Sequence, residues 1–195
     1  EVLPQTEESA LQRHADRNLL VTCGLDGTLR LWDYKSNALL TKRHYKASFT
    51  SLSCEATGKR IYLGTSLGYL RIMEIDNQNN PQLIFAERLR KSPVVDVKCG
   101  GAESSIVVVA FEDNYMAFVR TKRLAEDVNE DEVELDEQKT SITLLGFVKF
   151  PDRITAVTWL VENKLYVATD SGDIYTINHP ADQSTTNDMT FLLNN

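Results

Sequence analysis

Short stretches in which apolar and polar residues alternate recur along this chain, and each is bounded by turn-forming residues. The clearest is Thr28 to Asp33, where Leu29 and Leu31 alternate with Thr28, Arg30 and Trp32. An apolar run, Leu19-Leu20-Val21, precedes it across Gly24-Leu25-Asp26-Gly27. Asp-Gly is a tight-turn dipeptide, because glycine accepts positive φ without steric penalty. An apolar run before such a turn and period-two alternation after it predict a hairpin of two short strands.

The hairpin has echoes. Thr28-Leu-Arg-Leu-Trp-Asp33 aligns with Tyr69-Leu-Arg-Ile-Met-Glu74, Tyr115-Met-Ala-Phe-Val-Arg120 and Asp173-Ile-Tyr-Thr-Ile-Asn178. The turn residues before these segments are Gly27, Gly68, Asn114 and Gly172, all types that tolerate the left-handed region. Their spacings are 41, 46 and 58 residues. A short apolar strand is predicted upstream of each turn, at 19–22, 61–63, 106–111 and 165–168. Further strands are predicted at 49–54, 94–99 and 154–160, and again at 38–42, 83–89 and 142–150.

A strand ending in Trp-Asp after an Asp-Gly turn, followed by degenerate echoes at spacings of 41, 46 and 58 residues, resembles the WD40 repeat of β-propellers. The resemblance covers roughly residues 6–180 and implies an all-β fold of about four blades, at 6–43, 49–89, 94–150 and 154–193. In such blades 49–54, 94–99 and 154–160 would be the innermost strands and 38–42, 83–89 and 142–150 the outermost. Rings of this family usually close with seven or eight blades, so four units are a fragment or half of a larger ring. The rest of the same propeller is therefore an expected partner, because open end sheets would expose apolar faces. The lack of an initiator Met agrees with a processed chain or a piece of a longer one. Residues 181–195 are expected to form either a last strand, Met189 to Leu193, or a linker.

Charge singles out one segment. The net charge of −7 comes from 21 basic and 28 acidic residues. Eight of the carboxylates lie in one stretch: Glu126, Asp127, Glu130, Asp131, Glu132, Glu134, Asp136 and Glu137. Without them the balance is 21 basic to 20 acidic, so the acidity belongs to one insertion, residues 124–139 of the third unit. Such a stretch is either a solvated loop or a docking strip that speeds encounter with a basic partner. Other basic residues come in small groups, Lys42-Arg43 with Lys46, Arg88-Arg90-Lys91 and Lys122-Arg123, too sparse for a nucleic-acid face. The second group is expected to be solvated rim charge or a contact for an acidic protein.

Little of the sequence carries reaction chemistry. The WD40 resemblance implies a buried hydrogen-bond relay, for which the first unit supplies Thr22, Asp26 and Trp32. With Trp32 taken as core, Trp32→Ala is expected to cost about 3–5 kcal/mol through the cavity it leaves. His44 stands near the relay's His position in the second unit, but Leu63, Leu67 and Met73 replace its partners; the third unit keeps Asp113 alone. His14, His44 and His179 fit no metal or triad spacing. Asp127-x-Asn129-x-Asp131 begins like a calcium loop, yet Glu132 and Gln138 stand where Gly and a bidentate Glu are needed. No catalytic, metal or cofactor-binding residue is assigned, and no cofactor is expected.

The longest apolar stretch, Ile106–Phe111, is far too short for a membrane helix. Cys23, Cys54 and Cys99 form no CxxC, and Cys54 and Cys99 occupy matching strand positions, which suggests reduced core thiols in a cytoplasmic protein. The expected function is a non-catalytic WD-repeat scaffold for protein–protein interaction in a large eukaryotic assembly. Its style resembles the cilia- and flagella-associated WD-repeat proteins, which implies an axonemal dynein-associated or tether complex. Alternatives are a propeller enzyme with its site in other blades, or an adaptor of a coat, ubiquitin-ligase or RNA-processing complex.

Overall fold

The computed structural model describes residues 18–55, 58–100, 106–123, 140–160 and 164–178. They form antiparallel strands in four sheets, each ordered as the chain runs. The first sheet comprises β1 (Leu19–Cys23), β2 (Thr28–Asp33) and β3 (Ala38–His44). The second comprises β4 (Phe49–Cys54), β5 (Arg60–Thr65), β6 (Tyr69–Ile75) and β7 (Pro81–Arg88). β8 (Val94–Gly100), β9 (Ile106–Phe111), β10 (Tyr115–Arg123) and β11 (Thr140–Lys149) make the third. The fourth holds β12 (Ile154–Leu160), β13 (Lys164–Thr169) and β14 (Ile174–Asn178).

The four predicted turn residues all have positive φ: Gly27 at 77°, Gly68 at 80°, Asn114 at 67° and Gly172 at 92°. Each lets its hairpin reverse tightly, and the first three do more. Their carbonyls accept a hydrogen bond from the loop leading to the next sheet: Tyr45 N–H to Gly27 at 2.8 Å, Leu89 to Gly68 at 3.0 Å and Phe150 to Asn114 at 2.8 Å. The approach is close. A Cβ on Gly68 would lie 1.9 Å from the Arg90 carbonyl oxygen, and one on Gly27 would lie 2.2 Å from that of Tyr45.

The sheets stack face to face, and the contacts run through the strands expected to be innermost. β8 packs on β4 and β5, β12 on β8, and β1 on β4. Alternation then assigns the two faces of the second and third sheets to two different neighbours. In the third sheet Val107, Val109, Ala117 and Val119 join the second sheet's Tyr62, Leu70 and Ile72. The opposite face, with Ile106, Val108, Met116 and Phe118, joins Ile154, Val157, Leu165 and Val167 of the fourth. Leu29 and Leu31 of the first sheet meet Phe49, Ile61, Leu63 and Met73 of the second.

A second periodicity lies in the backbone. The β2–β3, β6–β7 and β10–β11 pairings each shift register at one equivalent point, Leu31/Trp32, Ile72/Met73 and Phe118/Val119. The β4–β5, β8–β9 and β12–β13 pairings shift at Phe49/Ser51, Val94/Asp96 and Ile154/Ala156. An irregularity of this kind increases local twist, and its repetition gives the sheets a common shape for stacking.

Two sequence expectations need correction. Cys54 is exposed rather than core, because it ends β4, and Cys23 and Cys99 are only half-buried; all three are free. Trp32 is half-buried rather than enclosed, because it lies on the face of the first sheet that points away from the second. The acidic segment 124–139 and residues 179–195 lie outside the described residues.

Candidate functional site

The relay residues of the first hairpin divide into two local units. Thr22 and Trp32 sit diagonally across β1 and β2, and the Trp32 indole donates to the Thr22 hydroxyl at 3.0 Å. Asp26 serves the turn instead. Its carboxylate accepts from the Thr28 hydroxyl at 2.8 Å and the Thr28 N–H at 3.0 Å, and faces the Arg30 guanidinium at 3.8 Å. The Thr28 bonds, with lesser help from Arg30 and His44, hold the Asp26 carboxyl below its ordinary range. Because Trp32 is half-buried, Trp32→Ala costs about 1–3 kcal/mol, from one net hydrogen bond and partial area loss. Urea unfolding of that variant beside Thr22→Val separates the two terms.

Asp33 and Asp76 do in the neighbouring turns what Asp26 does in its own. Bonds from Ser36 and Lys35 lower the Asp33 carboxyl, and bonds from Asn80 and Gln78 lower that of Asp76. A carboxyl depressed in the folded state stabilises above its unfolded value, and the contribution is lost as pH falls through the folded one. Acid titration of Asp26→Asn should therefore show a shallower loss of stability below about pH 4 than the parent chain shows.

The basic group at 88–91 is built into the fold. The Arg88 Nε donates to the Leu67 carbonyl at 2.9 Å. Arg90 pairs with Asp113, and its guanidinium lies 3.5 Å from the centre of the Tyr115 ring. The link joins the loop after the second sheet to the β9–β10 turn of the third. Arg153 reaches Glu112 on the same turn at 3.5 Å. Arg88, Leu89, Arg90, Lys91 and Asp113 line a shallow cleft there, and Lys91 stays exposed. Arg90→Ala is expected to cost about 1–2 kcal/mol, the sum of a part-exposed cation–π contact and ion pair. Thermal melts at low and high salt check it, since only the ion pair is screened.

Sequence reasoning missed this engagement of Arg90. The only available signal was Asp113, which the relay pattern had isolated without a partner. Among the described residues no three His, Cys, Asp or Glu side chains gather as a metal site would require. Burial raises the pKa of the Cys23 thiol, which disfavours the thiolate.

The acidic carboxylates themselves lie outside the described residues, but their attachment does not. β10 and β11 remain in register out to the pair Arg123–Thr140, so residues 124–139 join two hydrogen-bonded strands of one sheet. The segment thus leaves from one end of the third sheet, opposite the end that carries Asp113 and Arg90.

No family model matches the chain, and no curated protein does. Among solved structures it is similar to the β-propeller domain of Cps50 (Swd1) from Myceliophteria thermophila. The TM-score is 0.61 at 16% identity, over 84% of this chain and 49% of that one. The chain spans about half the length of that propeller chain. Stacked antiparallel sheets of three or four described strands in chain order, recurring left-handed turns and this likeness agree, and the fold is that of a β-propeller.

Proposed function

We propose that this propeller is a non-catalytic scaffold that binds other proteins, and that its distinguishing contact is a basic surface docked on Glu126–Glu137. One observation carries the reading. Eight carboxylates within 126–137, a stretch that holds no Lys or Arg, are attached to a hairpin whose strands stay paired up to Arg123–Thr140, while the rest of the chain is near charge balance. A charged strip on a fixed platform favours fast, salt-sensitive encounter with an oppositely charged partner. On the opposite loops Arg90 is engaged with Asp113 and Arg153 with Glu112 within the fold. They serve cohesion between sheets.

Within this reading the setting is a large eukaryotic assembly in the cytoplasm. The likeness of the Gly24–Asp33 repeat to the cilia-associated WD-repeat proteins supports an axonemal one. Deletion of residues 126–137 tests the docking role. It leaves 124, 125, 138 and 139 to bridge Arg123 and Thr140, a four-residue hairpin loop of common length. Pull-down with the deleted chain should lose a basic partner while the melting temperature holds. Retention of every partner would sink the docking role.

A further inference from the structure

We infer that the basic partner of the acidic strip is a second copy of this chain, which receives Glu126–Glu137 on a cationic patch built by Lys46, Arg88 and Lys91. The inference rests on the docking role given above and names the partner for it.

The patch lies at the end of the sheets opposite the strip, on a belt of backbone hydrogen bonds that alternates hairpin turns with the loops between sheets. Tyr45 N–H donates to the Gly27 carbonyl at 2.8 Å, Ser66 to that of Ser48 at 3.0 Å and Leu89 to that of Gly68 at 3.0 Å. Further along, Glu112 N–H donates to the Pro93 carbonyl at 2.9 Å, and Asp170 to that of Arg153 at 2.9 Å. Side chains on the belt thus stand on one bonded platform rather than on separate loops.

Charge changes sign along it. The third and fourth sheets bring Glu112, Asp113, Asp152, Asp170 and Asp173, against Lys149 and Arg153. The first and second bring Lys46, Arg88, Arg90 and Lys91, against Glu87 and an Asp26 already held by Thr28 and Arg30. Arg90 is engaged with Asp113 and Tyr115, and Lys46, Arg88 and Lys91 are exposed. The Arg88 Nε bond to the Leu67 carbonyl, at 2.9 Å, fixes that guanidinium at the turn that carries Leu67. Arg88 and Lys91 line the cleft of about 490 Å³ beside it. Leu25 and Leu67, on the first two turns of the belt, are 68% and 61% exposed. Cations set among exposed leucines fit a segment in which carboxylates alternate with aliphatic side chains.

The chain itself supplies such a segment. Glu132-Val-Glu-Leu-Asp136 alternates carboxylates with Val133 and Leu135, inside the run of eight carboxylates. Lys122, Arg123 and Lys139 flank the run, and eight against three leaves five negative charges over. The strip cannot reach its own patch. β10 runs from Tyr115 to Arg123, about 27 Å at roughly 3.4 Å per residue. Residues 124–139 leave from Arg123 and return to Thr140, so their midpoint extends at most about 30 Å even if fully stretched. Only that midpoint would gain the level of Tyr115, with the patch still one sheet away. Strip and patch at opposite ends make the contact heterologous, so copies join head to tail.

Sedimentation velocity of the 195-residue chain across a salt series tests this, with a melting temperature recorded for every variant. The parent should sediment heavier than one 22.0 kDa chain at low salt, increasingly so with concentration, and as that chain alone at high salt. Lys46→Glu with Lys91→Glu, both at exposed side chains, should be monomeric at low salt with an unchanged melt. A chain whose eight carboxylates become Asn or Gln should be monomeric too. Mixed, these two variants hold one strip and one patch between them and should form a species of two chains and nothing larger. A monomeric parent at low salt, unaltered association of the Lys46/Lys91 variant, or no dimer from the mixture would overturn the inference. The docking role falls separately. It fails when neutralising the strip leaves every basic partner bound, and it stands when a monomeric parent still captures another basic protein through the strip.

Discussion

Gly68→Ala should unfold this protein at markedly lower urea than the parent chain, with a loss of roughly 2–5 kcal/mol. About 1–2 kcal/mol comes from holding a side-chain-bearing residue in the left-handed region. About 1–3 kcal/mol more comes from overlap, since the new methyl would lie 1.9 Å from the Arg90 carbonyl oxygen and 2.6 Å from that of Ser92. Those oxygens belong to the backbone joining the second sheet to the third, so relief requires the loop to move. That movement strains the Leu89–Gly68 hydrogen bond and the Arg90 contacts with Asp113 and Tyr115. Gly172→Ala is the control. Its φ is also positive, at 92°, but nothing described lies within 4 Å, so only the backbone term of about 1–2 kcal/mol should appear.

Phe118→Ala should cost about 3–5 kcal/mol by leaving a cavity between the third and fourth sheets. The ring is wholly buried among Met116, Phe150, Ile154 and Val157. The strands on both sides are hydrogen-bonded to β10, which limits collapse into the space. At roughly 2–4 °C per kcal/mol for a chain of this size, differential scanning calorimetry should register a large fall in melting temperature. Phe147→Ala, one strand out and partly exposed, should cost much less. Equal effects from the two rings would contradict the stacking described here.

Turns and strand faces were legible in the sequence because each rests on a local rule. Only Gly or Asn sits easily at positive φ, so Gly27, Gly68, Asn114 and Gly172 marked the turns from residue type alone. Alternation marked the two faces of β9 less well, since Ile106–Phe111 is apolar throughout; it is buried on both sides between two sheets. Less legible were features set by distant partners. Nothing near Trp32 showed that its face looks away from the second sheet. The Arg90–Asp113 pair spans 23 residues and depends on a guanidinium over Tyr115, which no spacing rule encodes. The recurring register shifts carry no residue signature at all. They became visible only as the same slip in three successive pairings.

The acidic strip is the reverse case. Its charge is plain in the sequence, and the structure contributes the platform, a hairpin paired to Arg123–Thr140. Under the proposed docking role, partner binding depends on charge rather than on shape. The most direct measurement is the affinity of the captured partner for the parent chain and for one in which the eight carboxylates of 126–137 become Asn or Gln, across a salt series. Affinity for the parent should fall steeply with added salt, and the neutralised chain should bind weakly with a shallow salt dependence and an unchanged melt. Equal affinity and equal salt slope in the two chains would contradict the account.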